Sequence, residues 1–204
     1  MATTTTTTNP HYNIQKKLDS MIERSSKHPI PHLLFSGESG TGKHTLLRNF
    51  VWNMYKDDVV SLKKYVFELN CALGVGVNEI REKVSFFGEM SMRHHSLFKT
   101  IVLFNADQLT YDAQSALRRG IEKYSEHTRF IMSVTHRDQL MDPILSRLCE
   151  IAVPFPVIGR KRVNLHQQKR RTNNANKHKV NINNGTSFIR DEELLQLIQE
   201  SCCS

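Results

Sequence analysis

Residues Gly37 to Lys43, Gly-Glu-Ser-Gly-Thr-Gly-Lys, constrain this chain more than any other stretch. They fill the first seven positions of the phosphate-loop pattern G-x-x-x-x-G-K-[ST]. Glycines at that spacing let successive backbone N–H groups turn inward and cradle phosphate oxygens. The lysine ammonium reaches the β- and γ-phosphates, and a helix starting beside it adds the positive end of its dipole. Such a loop must follow a strand and open a helix. The flanks comply: His32-Leu33-Leu34-Phe35 reads as a short buried strand, and Leu46, Leu47, Phe50, Val51 and Met54 form a helical apolar stripe.

The eighth position departs from the pattern. It should carry the Ser or Thr hydroxyl that ligates magnesium, and it is His44. Thr45 follows, but one residue along a helix turns the side chain by about 100°. The hydroxyl is therefore not replaced. The expected nucleotide-binding set is Gly37, Glu38, Ser39, Gly40, Thr41, Gly42, Lys43, His44 and Thr45, with phosphate binding kept and magnesium positioning impaired.

Further strands are expected at 65–69, 101–104, 130–134 and 151–155. Between them run amphipathic helices: one over 12–24 on Ile14, Leu18, Met21 and Ile22, one capped by Asn78 on Ile80, Val84 and Phe87, and one over 111–125. Pro143 to Arg147 reads as a short helical turn. Short apolar strands alternating with helices imply an α/β fold, a parallel five-stranded sheet with helices on both faces.

The chain has 204 residues, room for one such core plus tails. Its net charge of +8 favours polyanionic partners, nucleic acid or nucleotide phosphates, although a solvated basic surface explains it as well. No stretch approaches the roughly 20 apolar residues that span a bilayer, and MATTTTTTNP has no apolar signal region. Cys71, Cys149, Cys202 and Cys203 form no C-x-x-C pair, so no metal site is expected and the chain reads as intracellular and soluble. The organisation expected is a Thr-rich disordered tail at 1–11, a nucleotide-binding domain at 12–158, a basic Asn-rich linker at 159–187, and a last helix with its tail at 188–204.

Two further motifs narrow the class. Tyr111-Asp112-Ala113-Gln114-Ser115-Ala116-Leu117-Arg118-Arg119 resembles the D-A-Q-x-A-L-R-R helix of replication factor C small subunits, and Pro143-Ile144-Leu145-Ser146-Arg147 resembles their P-I-x-S-R motif. Pro31 to Phe35, Glu68-Leu69-Asn70, Val77 to Lys83 and Phe87 match as well. From about residue 12 to 153 the chain thus resembles a sliding-clamp loader subunit built on an AAA+ P-loop core. The resemblance implies ATP held between neighbouring subunits of a hetero-oligomer that places a sliding clamp on primer-template DNA. The expected location is a nucleus or a viral replication site, the latter suggested by the polythreonine and Asn-rich runs. It implies that Arg147 is an arginine finger acting in trans, its fixed charge meeting the dispersed charge of phosphoryl transfer. Arg81 and Lys83 fall where the family tracks duplex phosphates, though Glu79 and Glu82 on the same helix suit an ordinary solvated face. The family continues through a helical lid and a collar; here the lid is expected to be incomplete and the collar absent.

The second acidic motif is degenerate. Setting Asp107 against the last Asp of the family's D-E-x-D puts Phe104 at the magnesium-binding Asp and Asn105 at the water-orienting Glu. Phenylalanine can do neither job, and Asn105 lacks the charge to polarise water. Asp107, the one carboxylate left, reads more simply as the start of the next helical turn. The sensor position is Thr135, where the family usually has Asn. With His44, Phe104, Asn105 and Thr135 all changed, the expectation is a subunit that binds ATP with little or no hydrolysis. The alternatives are an active DNA-dependent ATPase subunit and a truncated, diverged homologue with no loader role.

Overall fold

The computed structural model describes residues 11–26, 28–56, 58–90, 98–158 and 161–166. Residues 1–10 of the expected Thr-rich tail, the histidines at 94 and 95, most of the basic segment and the last helix lie outside them, whereas His11, expected in the tail, is described and buried.

The strands β1 (Leu33–Ser36), β2 (Val66–Asn70), β3 (Lys99–Phe104), β4 (Thr128–Val134) and β5 (Cys149–Ala152) form one sheet in the order β2-β3-β4-β1-β5. Every pairing is parallel, with Leu33 opposite both Ile131 and Cys149. The first strand in sequence therefore lies inside the sheet, and the loop that leaves it emerges between neighbours.

Alternate residues of the strands point to opposite faces, which gives two cores. On one face Phe67, Leu69, Ile101, Leu103, Phe130 and Met132 meet α4 (Val77–Glu89) and α5 (Tyr111–Tyr124). On the other, Leu33, Phe35, Val102, Phe104 and Ile131 meet α1 (Tyr12–Glu23), α2 (Lys43–Met54) and α3 (Val59–Tyr65). The strands read as continuous apolar runs because both faces are covered. The α/β fold with a five-stranded parallel sheet is as the sequence implied.

Helices α4 and α5 approach closely through glycine. A Cβ on Gly120 would sit 2.7 Å from Val84 Cγ1, and one on Gly88 would sit 2.6 Å from the Tyr124 ring. Lys99, buried at the start of β3, donates its Nζ to the carbonyls of Phe87, Gly88 and Met90 and so closes the C-terminus of α4. The Thr110 hydroxyl accepts from Ala113 N–H and caps α5.

Several boundaries differ from expectation. Gly76, not Asn78, occupies the N-cap of α4. Tyr65 ends α3 rather than opening β2, and α3 itself was hidden by its β-branched start, Val59-Val60; the Asp58 carboxylate caps it by accepting from Val60 N–H at 3.0 Å. Lys161–Arg162, expected within the linker, form β7, which pairs antiparallel with β6 (Val157–Ile158) at the end of the expected domain, after which the chain reaches the Gly37–Lys43 loop. A short helix, α6 (Asp142–Leu145), precedes Arg147.

Candidate nucleotide site

The loop between β1 and α2 has the backbone that the glycines foretell. Gly40 and Gly42 take φ of +87° and +98°, in the left-handed region that only glycine enters without cost, and Gly37 takes +151°. At Gly37 a Cβ would also lie 2.3 Å from the Val153 carbonyl oxygen, so the strand neighbour enforces glycine there as well. Lys43 is buried, and its ammonium donates to the carbonyls of Gly37 and Glu38, the latter at 2.8 Å. Burial lowers the lysine pKa, while the Asp107 and Glu38 carboxylates oppose that shift. An inward-turning loop, a cation at its base and a helix N-terminus behind it fit a polyphosphate.

The same residues do not fit magnesium. His44 lies against Phe104 with ring centroids 4.7 Å apart and planes tilted by 58°. The Arg48 guanidinium, one turn further along α2, lies 5.2 Å from the centre of the Phe104 ring and reaches Glu68 at 3.4 Å. The two positions that the sequence sets against a magnesium-ligating hydroxyl and carboxylate thus carry a ring pair, and neither ring offers a hard oxygen ligand. His44 is exposed, and partial desolvation pushes its pKa down, the nearby charges of Lys43, Arg48 and His166 pushing it the same way.

At the end of β3, Asn105 adopts a left-handed φ of +53°. Its amide Nδ2 donates to Asn70 Oδ1 at 2.9 Å, and its N–H donates to Ser133 Oγ. Asp107 is buried in a single 3₁₀ turn, Ala106–Gln108; Oδ2 accepts from His136 N–H at 3.3 Å, and Oδ1 has no hydrogen bond among the described residues. It faces the lysine electrostatically and supplies the only carboxylate of the 104–107 segment. Thr135 follows β4, half-buried. Thr45, on the first turn of α2, is exposed.

Arg147 sits apart from this cluster, exposed at the end of α6. Its guanidinium pairs with Glu122 on α5 at 2.7 Å and donates to the Pro143 carbonyl. Glu122 also holds Arg118 at 3.0 Å. On α4, Lys83 pairs with Glu79 at 2.8 Å, one turn away, and Arg81 is exposed. Sequence reasoning did not single out Arg48, His11 or Asn164. Arg48 follows His44 by four residues on a helix, a spacing that could have flagged it. The other two are brought to the loop only by the fold.

The fold and the loop together define a P-loop protein of the AAA+ class. No family-wide sequence profile matches the chain. It is 38% identical over 137 residues to the replication factor C small subunit of Halobacterium salinarum, covering 67% of this chain and 40% of that protein. It is 40% identical over 134 residues to the protein of the same name from Sulfurisphaera tokodaii, covering 65% and 40%. Among solved structures it resembles a Thermotoga maritima RuvB variant, with a TM-score of 0.56, 15% identity, and coverage of 81% of this chain and 51% of that one. A DNA polymerase III gamma subunit-related protein from Thermotoga maritima gives 0.55 at 17% identity, covering 68% and 46%. Over its core, the chain is similar to the replication factor C small subunits. It spans about two fifths of the length of those relatives.

Proposed function

We propose that this chain is a nucleotide-holding, poorly hydrolysing subunit of a sliding-clamp loader that acts in DNA replication. The observation that carries the reading is the contrast within one site: an intact glycine-and-lysine phosphate loop beside a magnesium position filled by His44 and Phe104. Holding a polyphosphate needs the N–H cradle and Lys43. Hydrolysis needs a positioned metal and a water-orienting carboxylate. Asn105 in place of the Glu cannot supply that carboxylate.

In such a complex Arg147 would leave Glu122 for the γ-phosphate of a neighbouring subunit's ATP. Arg81, with Lys83 once freed from Glu79, would meet the phosphates of primer-template DNA. Other loader subunits and the clamp are the partners this reading requires. No helix among the described residues is long and apolar enough to cross a membrane.

Equilibrium binding of a fluorescent ATP analogue, with magnesium and with a chelator, tests the reading. Micromolar binding that barely depends on magnesium and vanishes in Lys43→Ala supports it. Absence of binding in both conditions refutes nucleotide holding; rapid magnesium-dependent hydrolysis favours the active-ATPase alternative.

A further inference from the structure

The phosphate loop is gripped from outside by two segments that lie at opposite ends of the described chain. Buried His11, just ahead of α1, faces the Thr41 carbonyl with Nε2 at 2.6 Å, so this nitrogen must be the donor. Beyond the β6–β7 hairpin, Leu165 N–H donates to the Gly40 carbonyl at 2.9 Å, and Asn164 Nδ2 donates to the Ser39 carbonyl at 3.2 Å. Asn164 is itself fixed, its Oδ1 accepting from His166 N–H at 3.0 Å. Three consecutive carbonyls of the loop thus each have a donor outside it.

This matters because the peptide unit is planar and trans: the carbonyl of one residue and the N–H of the next point in opposite directions. Holding the carbonyls of Ser39, Gly40 and Thr41 outward aims the N–H groups of Gly40, Thr41 and Gly42 to the other side. From within the loop, Thr41 N–H meets only the distant Glu38 carbonyl, at 3.4 Å. The grip is also close: a Cβ on Gly40 would lie 2.0 Å from Asn164 Oδ1, and one on Gly42 would lie 3.0 Å from Leu165 Cδ1. Gly40 is therefore needed for the contact as well as for its φ.

We propose that His11 and the Asn164-Leu165 pair are positioning residues for the phosphate site, bracing the loop so that its amides are aimed before a nucleotide arrives. The inference rests on the nucleotide reading above. Pre-aimed donors bind an anion without first ordering themselves, so the brace acts on affinity while touching no phosphate.

The test uses the full chain and three variants: His11→Leu, His11→Gln and Asn164→Ala. Two quantities are read: affinity for a fluorescent ATP analogue in chelator, and amide hydrogen exchange across residues 37–46 without ligand. Loss of one brace bond is expected to weaken binding about 5–10-fold and to speed exchange in the loop by a similar factor. His11→Gln keeps a side-chain N–H donor and is expected to bind within about twofold of the unaltered chain, which loss of packing alone would not explain. Unchanged exchange in His11→Leu and Asn164→Ala overturns the brace. Faster exchange with unchanged affinity overturns its role in positioning. If the unaltered chain binds no analogue while exchange still rises in the variants, the brace stands and the nucleotide reading fails.

Discussion

The N–H of Met141 donates to Gln114 Oε1 at 2.9 Å, while Gln114 Nε2 donates to the carbonyls of Leu109 and Gln139 at 3.1 and 2.9 Å. One buried amide side chain on α5 thereby saturates both sides of the turn that leads into α6 and Arg147. The Gln of the D-A-Q motif is a joint between two motifs that lie some 25 residues apart in sequence.

Replacing Gln114 by Ala leaves two carbonyls and an N–H without partners. We expect a loss of about 2–3 kcal/mol in denaturant unfolding. Amide exchange over residues 139–147 should rise while β1 and β4 stay protected. A variant as stable as the parent, with unchanged exchange, would show the joint to be idle.

The His44–Phe104 contact predicts metal independence. Nucleotide affinity of the parent should differ by no more than about twofold between magnesium and chelator, whereas His44→Thr with Phe104→Asp should gain at least about tenfold from magnesium. Fluorescence titration reads both. An equal response in parent and double variant would mean that the ring pair does not decide metal use.

His32 predicts an acid weakness. Its Nδ1 accepts from Phe130 N–H at 3.1 Å and its ring meets Phe130 edge-on at 5.5 Å, so protonation at Nδ1 breaks the bond. Burial first, and the Arg129 charge second, lower its pKa to about 4 from the ordinary 6.5. Between these values the unfolded chain binds the proton and the folded chain does not, so stability rises with pH. The contribution is complete above pH 6.5 and is lost as pH falls through 4. Allowing for solvent screening we expect about 1–2 kcal/mol. His32→Asn, which keeps an acceptor but cannot titrate, should flatten the pH dependence of Tm in that window.

Gly120→Ala should destabilise, although alanine is the better helix former by about 1 kcal/mol. Its Cβ meets Val84 Cγ1, and overpacking there should cost about 1–3 kcal/mol. Adding Val84→Ala should recover part of the loss, measured as a coupling in a double-mutant cycle. Simple additivity of the two changes would remove the close approach of α4 and α5 as the cause.

Much of this architecture was legible in the chain. Runs such as Ile101 to Phe104 announce strands buried on both faces, and the glycines at 37, 40 and 42 announce a phosphate loop, because each answers to a local rule. The residues at 44, 104, 105 and 135 were visible one at a time as departures from the family pattern. What could not be read was that His44 and Phe104 touch, since 60 residues separate them and only the sheet order brings α2 over the end of β3. Helix α3 was missed because Val59-Val60 looks like a strand and a cap on Asp58 outweighs that preference. The basic stretch from 159 reads as linker from its charge, yet within its described residues 161–166 the backbone N–H of Leu165 is spent on the loop.

The ring pair at 44 and 104 couples two positions that lie far apart in the sequence. A carboxylate placed at 104 alone would face an imidazole in an apolar space and open a cavity where the ring had been. A hydroxyl placed at 44 alone would leave the Phe104 ring without its His44 contact and provide no second oxygen ligand. A metal site at this place therefore needs both substitutions made together, and each one alone works against it.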